Sequence, residues 1–302
     1  MHRMTNPALM FFGDPHGDFV PVIAAVERFE PEAIVLLGDI QARRPLHVEL
    51  APILDKTEVW FIHGNHDTDS DADYDNLWGS ELAHRNLHGR AVEIAGYQVA
   101  GLGGVFRGKI WNARRPVEEA AFASADALCQ SMRPEVRWRG GIARRHRSSI
   151  FPEDYLRLLQ SPPSADILVT HEAPAAHPHG WQAIDELAEA LGVQLLVHGH
   201  HHRDIDYVGE GLLSAVAPFR AFGVDMGSHL AWPKDPQQGT GLGGLPRDLL
   251  DLAVQVLGRD AQIWLDKPHQ LLRGQTPAAF AVEGGSDKVR SMLNAIQNGG
   301  VV

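Results

Sequence analysis

Five short apolar runs along the chain each end abruptly in a polar cluster. Ala8–Phe12 runs into Gly13-Asp14-Pro15-His16-Gly17-Asp18, and Ala33–Leu37 runs into Gly38-Asp39. Val59–Ile62 precedes His63-Gly64-Asn65-His66-Asp67. Ile167–Val169 precedes Thr170-His171-Glu172, and Leu195–Val197 precedes His198-Gly199-His200-His201-His202. Runs this short, without polar alternation, predict strands buried on both faces. Helical spacing lies between them. Val20–Phe29 has Asp18 as its expected N-cap and Pro21 in its first turn, and Ala183–Leu191 is stopped by Gly192. Strand and helix in alternation predict an α/β layered domain. In open α/β sheets the ligand site lies beyond the carboxyl ends of the strands, so the five clusters are expected to converge. Leu212, Leu213, Ala215 and Val216, with Gly209 and Gly211 as a turn, predict a closing antiparallel hairpin within 205–227.

Two stretches break this pattern. Residues 103–147 carry ten Lys or Arg against four acids, a local +6 in a chain whose net charge is −11. The stretch reads as an insertion, with a helix at 118–132, laid over the carboxyl edge of the sheet. Its charge is either a solvated face or a grip for phosphate, and Arg144 and Arg145, in its densest part, are the candidate substrate-binding residues. Trp111 and Trp138 are expected to be buried under the insertion, and Cys129 to be core. Residues 234–245 read as a linker by composition. Beyond it, Leu249–Leu257, Ala261–Leu265 and Val289–Ile296 predict a small all-α unit over 246–302, leaving 1–233 as the main domain. A unit that small is marginal alone and is expected to dock on the main domain or on a partner.

Composition narrows the class further. The chain has 302 residues, 44% of them hydrophobic, which is enough for a sizeable core and too apolar for disorder. A single cysteine excludes a disulfide framework and a thiolate zinc cluster. No apolar run is long enough to span a bilayer, and Met1–Met10 lacks the charged-then-apolar grammar of a leader, so a cytoplasmic setting is expected. The acidic balance argues against binding nucleic acid over the whole surface.

What remains is the chemistry of the clusters. Asp, His and Asn at strand ends are hard and borderline ligands, suited to Mn2+, Fe2+ or Zn2+ and less to Mg2+. Asp39, alone after its strand, is the natural bridge between two ions. His66, beside the ligand-type Asn65, would project into the site unbound and could protonate a leaving oxygen. A two-metal pair clamps the attacking and leaving oxygens of an in-line displacement. His63 and His198 serve either packing and the orientation of ligands or a direct role in the site. His201 is expected to point away, exposed or touching substrate, and His177 and His179 to sit in a loop.

In order, Asp14-x-His16, Gly38-Asp39, Gly64-Asn65-His66-Asp67, His171 and Gly199-His200-x-His202 resemble the pattern of the calcineurin-like metallophosphoesterase superfamily over residues 8–227. The resemblance implies two mixed β-sheets in a sandwich flanked by helices. It implies one metal on Asp14, His16, Asp39 and His202, and another on Asp39, Asn65, His171 and His200. It implies attack by a hydroxide held between two divalent ions (Mn2+, or Fe, Zn2+, Ni2+ or Mg2+), with His66 as general acid oriented by Asp67. Protein phosphatases of the superfamily place an arginine after Gly-Asp. Here Arg43 or Arg44 would take that place in a different register, which weakens the case for a phosphoprotein, while the +6 segment favours a phosphodiester or nucleotide-type substrate, such as an oligonucleotide, over a phosphomonoester. Trp264-Leu265-x-x-Pro268, Leu271 or Leu272, Gly274, Thr276-Pro277 and Val289…Leu293…Ile296…Gly299 resemble the toxin-binding domain of Xre/MbcA/ParS-type antitoxins. His269 stands for a usual Asn and Arg273 for a usual glycine. This second resemblance implies an RES-type toxin as partner, or self-association, through 246–302.

Overall fold

The computed structural model describes residues 7–160, 164–214, 217–232, 247–257, 261–265, 267–281 and 285–297. One compact unit takes in the described residues up to Ile205 together with Phe222–Trp232; the other takes in Asp206–Ala221 and the described residues from Arg247 onward. The 234–245 linker lies outside the described residues, as do Ala215, Val216 and Gly299.

All five apolar runs are strands. β1 (Leu9–Phe12), β2 (Ala33–Leu36) and β3 (Glu58–Phe61) are parallel and share a four-stranded sheet with β10 (His229–Trp232), in the order β10-β1-β2-β3. β10 closes that sheet antiparallel to β1. The second sheet has the order β4-β5-β6-β7-β9-β8, from β4 (Arg90–Ile94), β5 (Tyr97–Leu102), β6 (Ile167–Thr170), β7 (Leu195–His198), β8 (Ile205–Asp206) and β9 (Arg220–Gly223). β5, β6 and β7 are parallel, and β4 pairs antiparallel with β5. The architecture is two mixed sheets flanked by helices.

The alternation within β1 and β2 explains their continuous hydrophobicity. Leu9, Phe11, Ala33 and Val35 pack with Val99, Val169, Leu195 and Val197 of the other sheet. Met10, Phe12, Ile34 and Leu36 face the opposite way, onto Val22, Ala25 and Val26 of α1 (Val20–Phe29). Each strand is therefore apolar at every position because each of its faces is covered.

Local expectations shift in several places. The N-cap position of α1 is Phe19, with no side-chain cap; Asp18 sits one residue earlier and accepts the Val20 N–H at 3.1 Å. The helix expected at 118–132 is only α4 (Ala125–Ser131), capped by Ser124, because Glu118 and Glu119 lie in a separate 3-10 turn. Leu212 and Leu213 are not strand: both N–H groups fold back onto the Tyr207 carbonyl. Between α4 and β6 lies α5 (Pro152–Gln160), and between β6 and β7 lies α6 (Gln182–Leu191), which ends at Gly192 with φ 66°. Cys129 is half-buried rather than core. Trp111 is buried, whereas Trp138 is half-buried and bonds Asp71 through its indole N–H.

The second unit contains α7 (Arg247–Leu257), α8 (Ala261–Leu265), α9 (Pro277–Phe280) and α10 (Ser286–Gln297). Leu249, Leu265, Leu272, Val289 and Leu293 form its core. Both unusual residues of its motif keep the local geometry. The His269 ring accepts the Leu271 N–H at 3.3 Å, as an Asn side chain does in an Asx turn. Arg273 adopts the left-handed conformation (φ 58°) in which glycine costs least. No helix among the described residues is long and apolar enough to cross a membrane.

Candidate metal centre

Parallel strands put their carboxyl ends on one edge. Asp14 and His16 follow β1, Asp39 follows β2, and Asn65 and His66 follow β3; His171 follows β6, and His200 and His202 follow β7. Two sets of ligand atoms form there, His16 with Asp39 and His202, and Asp39 with His171 and His200, each set lying within 4.8 Å of itself. Asp39 belongs to both. Asp14, His16, Asp39, His200 and His202 all have positive φ, from 24° to 72°. Each such non-glycine residue costs of the order of 1–3 kcal/mol, a strain that marks functional sites.

Ring protonation can be read from the partners. His16 Nδ1 lies 2.6 Å from Gln41 Oε1, so Nδ1 carries the donated proton and Nε2 keeps a lone pair. That Nε2 stands 3.1 Å from His202 Nε2. His171 Nδ1–H donates to the Leu37 carbonyl at 2.8 Å. Its Nε2 then faces Asn65 Oδ1 at 3.3 Å and Asp39 Oδ2 at 3.4 Å. Acceptors gathered this closely repel unless a cation or a proton lies among them. In the metal-free chain a proton takes that place: burial opposes it, but Asp39 and Asp14 push His171 up to about 10. Burial likewise opposes the charge on Asp39, and His171 overrides it, holding the carboxyl below the usual range. Asp14 accepts the His200 N–H through Oδ2 at 2.6 Å, while its buried Oδ1 has no hydrogen-bond partner. Burial pushes Asp14 up. An orphaned carboxylate oxygen, imidazole nitrogens brought within 3.1 Å of one another and an amide oxygen together fit a pair of divalent cations.

The motif glycines leave room for these ligands. A Cβ on Gly64 would come within 2.2 Å of Asp39 Oδ1, and one on Gly199 within 2.5 Å of Asp14 Oδ1.

His66 lies beside both sets and in neither. Its side chain is 46% exposed, and its Nδ1–H donates to Asp69 Oδ2 at 2.6 Å. Burial tends to lower its pKa, but Asp69 and Asp39 outweigh this and raise it. Asp67, expected to orient His66, is turned elsewhere. It is buried, and its two oxygens accept the Gln41 and Gly64 N–H groups, each at 2.8 Å. Asp67 thus ties the loop after β2 to the loop after β3, and burial with the Asp39 charge pushes its pKa up to about 7. Asp69 and Gln41 are the residues that sequence reasoning missed. The three-residue spacing of His66 and Asp69 was a usable signal, since residues i and i+3 eclipse in a 3-10 turn.

The candidate arginines separate. Arg144 is committed to the loop that carries His66, pairing with Asp71 and donating to the Thr68 and Asp69 carbonyls. That is a bracing role, not a free phosphate grip. Arg44 forks onto Glu49, whereas exposed Arg43 packs over Gly17. Arg145 is exposed, and its Nε–H donates to His146 Nε2 at 3.3 Å. His63 and His198 are buried beneath the site. His201 does not point out to solvent: it stacks on His177 with ring centroids 3.9 Å apart. The Glu172 side chain, close to His200 and His201, already accepts the Phe106 N–H and the Trp181 indole N–H.

Residues 252–299 match the C-terminal toxin-binding domain of Xre/MbcA/ParS antitoxins. An uncharacterized protein of Haemophilus influenzae is 44% identical over 199 residues, 66% of this chain and 85% of that one. Solved structures with similar folds include TT1561 of Thermus thermophilus, at 16% identity and TM-score 0.45 over 74% of this chain and 91% of that one. A dimetal phosphatase from Danio rerio gives 11% identity and TM-score 0.40, covering 76% of this chain and 94% of its own. Residues 8–204, which carry every strand-end cluster of the site, match the calcineurin-like phosphoesterase family, and the chain belongs to that family.

Proposed function

We propose that the chain is a two-metal phosphoesterase acting on a phosphodiester or nucleotide-type substrate. The observation that carries this reading is the sharing of Asp39 by two ligand sets, with His66 beside them and outside both. Asp14, His16, Asp39 and His202 would hold one ion, and Asp39, Asn65, His171 and His200 would hold the other. Two divalent cations, Mn2+ foremost for this carboxylate, amide and imidazole set, supply Lewis acidity toward the phosphoryl group when bound. His66 presents Nε2 to the leaving oxygen, because Nδ1–H is fixed on Asp69. Its raised pKa, set by Asp69 and Asp39 against burial, favours the protonated ring that a general acid needs. Asp67 holds the two loops in register, and Arg43 contributes positive charge at the rim. Asp39→Asn and Asn65→Ala test the reading on bis-p-nitrophenyl phosphate beside the monoester. Loss of turnover is expected; variants that keep their metals and full activity overturn it.

The match at 252–299 supports a second, compatible reading, in which the C-terminal unit binds an RES-type toxin. Leu271, 56% exposed, offers an apolar contact. Co-expression with an RES-type toxin should restore growth with the full chain and fail with Leu271→Asp.

A further inference from the structure

Three arginines of the 103–147 segment are committed to carboxylates. Arg139 pairs with Asp75 and Asp71, Arg144 with Asp71, and Arg115 with Glu119. Arg107, Lys109 and Arg145 form no salt bridge among the described residues, and these three surround one hollow of about 400 Å³ with Phe106, Gly108 and His146. Arg107 is half-buried, yet donates only to the neutral hydroxyls of Ser149 at 3.1 Å and Ser148 at 3.5 Å. The carboxylates that act on it from a distance are Asp69 and Glu172. His146 has a buried Nδ1 without a hydrogen-bond partner. Three cations gathered around one hollow, one of them partly desolvated, repel one another until an anion enters.

Hydrogen bonds tie one wall of the hollow to the loops that carry the candidate metal ligands. The Ser148 hydroxyl that Arg107 approaches lies 2.8 Å from the Thr68 hydroxyl and donates to the Asn65 carbonyl at 3.4 Å. The Phe106 N–H is held by Glu172, the residue after His171.

We propose that this hollow is a subsite for a second phosphate of the substrate, so that the enzyme prefers small molecules bearing two or more phosphates in series. The inference rests on the phosphoesterase reading for its biological use, but not for its test. A single hollow with converging cations suits one compact polyanion; a polynucleotide backbone needs cations spaced along a track.

Tripolyphosphate is the probe. In chelator-treated protein, the difference in calorimetric binding between wild type and a variant of Lys109 and Arg145 reports on the hollow, because both residues line it and neither belongs to a ligand set of the metal centre. The wild-type chain should bind tripolyphosphate, and Lys109→Ala/Arg145→Ala should bind it about tenfold or more weakly, as expected for lost charge-assisted contacts. Both residues are exposed, so the variant should fold. In Mn2+-loaded protein, tripolyphosphate should inhibit more strongly than orthophosphate, and the double variant should erase that advantage. Equal tripolyphosphate affinity in wild type and variant overturns the subsite. So does a single-stranded oligonucleotide that outcompetes tripolyphosphate. Absence of turnover of both bis-p-nitrophenyl phosphate and p-nitrophenyl phosphate, with tripolyphosphate binding intact, would count against the phosphoesterase reading and leave the subsite standing.

Discussion

His66 and Asp69 are joined by a 2.6 Å hydrogen bond between Nδ1 and Oδ2, across the 3-10 turn that follows β3. The bond occupies Nδ1, so Nε2 is the nitrogen that the proposed general acid would offer, and it raises the ring's pKa against the opposing effect of burial. Asp69→Asn should therefore lower kcat by about tenfold to a hundredfold, within the range for an impaired general acid. The sign of the pH effect follows. A general acid works when protonated, so a lower pKa moves the alkaline limb of the kcat–pH profile to lower pH. An unmoved limb would remove His66 from the role.

Asp67 makes a contrasting prediction. With its carboxylate buried and bonded to two N–H groups, Asp67→Ala should cost about 2–4 kcal/mol in urea unfolding. Metal affinity should fall with it, because Gln41 and Gly64 belong to loops that carry or orient ligands. A stable variant with unchanged metal content would reduce Asp67 to a bystander.

Metal loading should release protons. His171 carries a proton in the metal-free chain, with its pKa pushed up to about 10, and a cation must displace it. Calorimetry at pH 7.5 in buffers of different ionisation enthalpy should show about one proton released per chain. Gly64→Ala, whose methyl group would collide with Asp39, should abolish the signal.

Acid should destabilise the metal-free protein through a different histidine. Burial, first among the causes, lowers His198 from 6.5 to about 3. Between those values the unfolded chain binds a proton that the native chain refuses, so stability falls as pH drops through 6.5. At pH 5 the loss is about 2 kcal/mol from this residue. His198→Gln should flatten the slope of Tm against pH between 7 and 5; an unchanged slope would show that His198 charges without cost.

Much of this molecule is visible before folding is considered. β1, β2, β6 and β7 announce themselves because both faces of each are covered, leaving no polar position to blur the run. The strand-end clusters are visible for the same reason, since the chain turns polar where the core ends. The β4–β5 hairpin is hidden: Arg90 and Glu93 interrupt its apolar pattern, and its turn uses Ala95 with φ 48° before Gly96, where Asn or Asp would be the usual signal. The carboxylate partner of Arg144 is hidden for another reason. A carboxylate's identity can be read from the chain, but which donor it meets depends on loops separated by up to 73 residues, as between Arg144 and Asp71.

The candidate ligands come from both halves of the sandwich. Asp14, His16, Asp39 and Asn65 leave the first sheet, while His171, His200 and His202 leave the second. A pair of ions held there acts as rivets through two plates that are otherwise joined by side-chain packing. Loading is then a mechanical event as well as a chemical one. Free metal concentration should set how tightly the sheets are clamped, and a chelator should lower the melting temperature of the whole sandwich rather than loosen one loop.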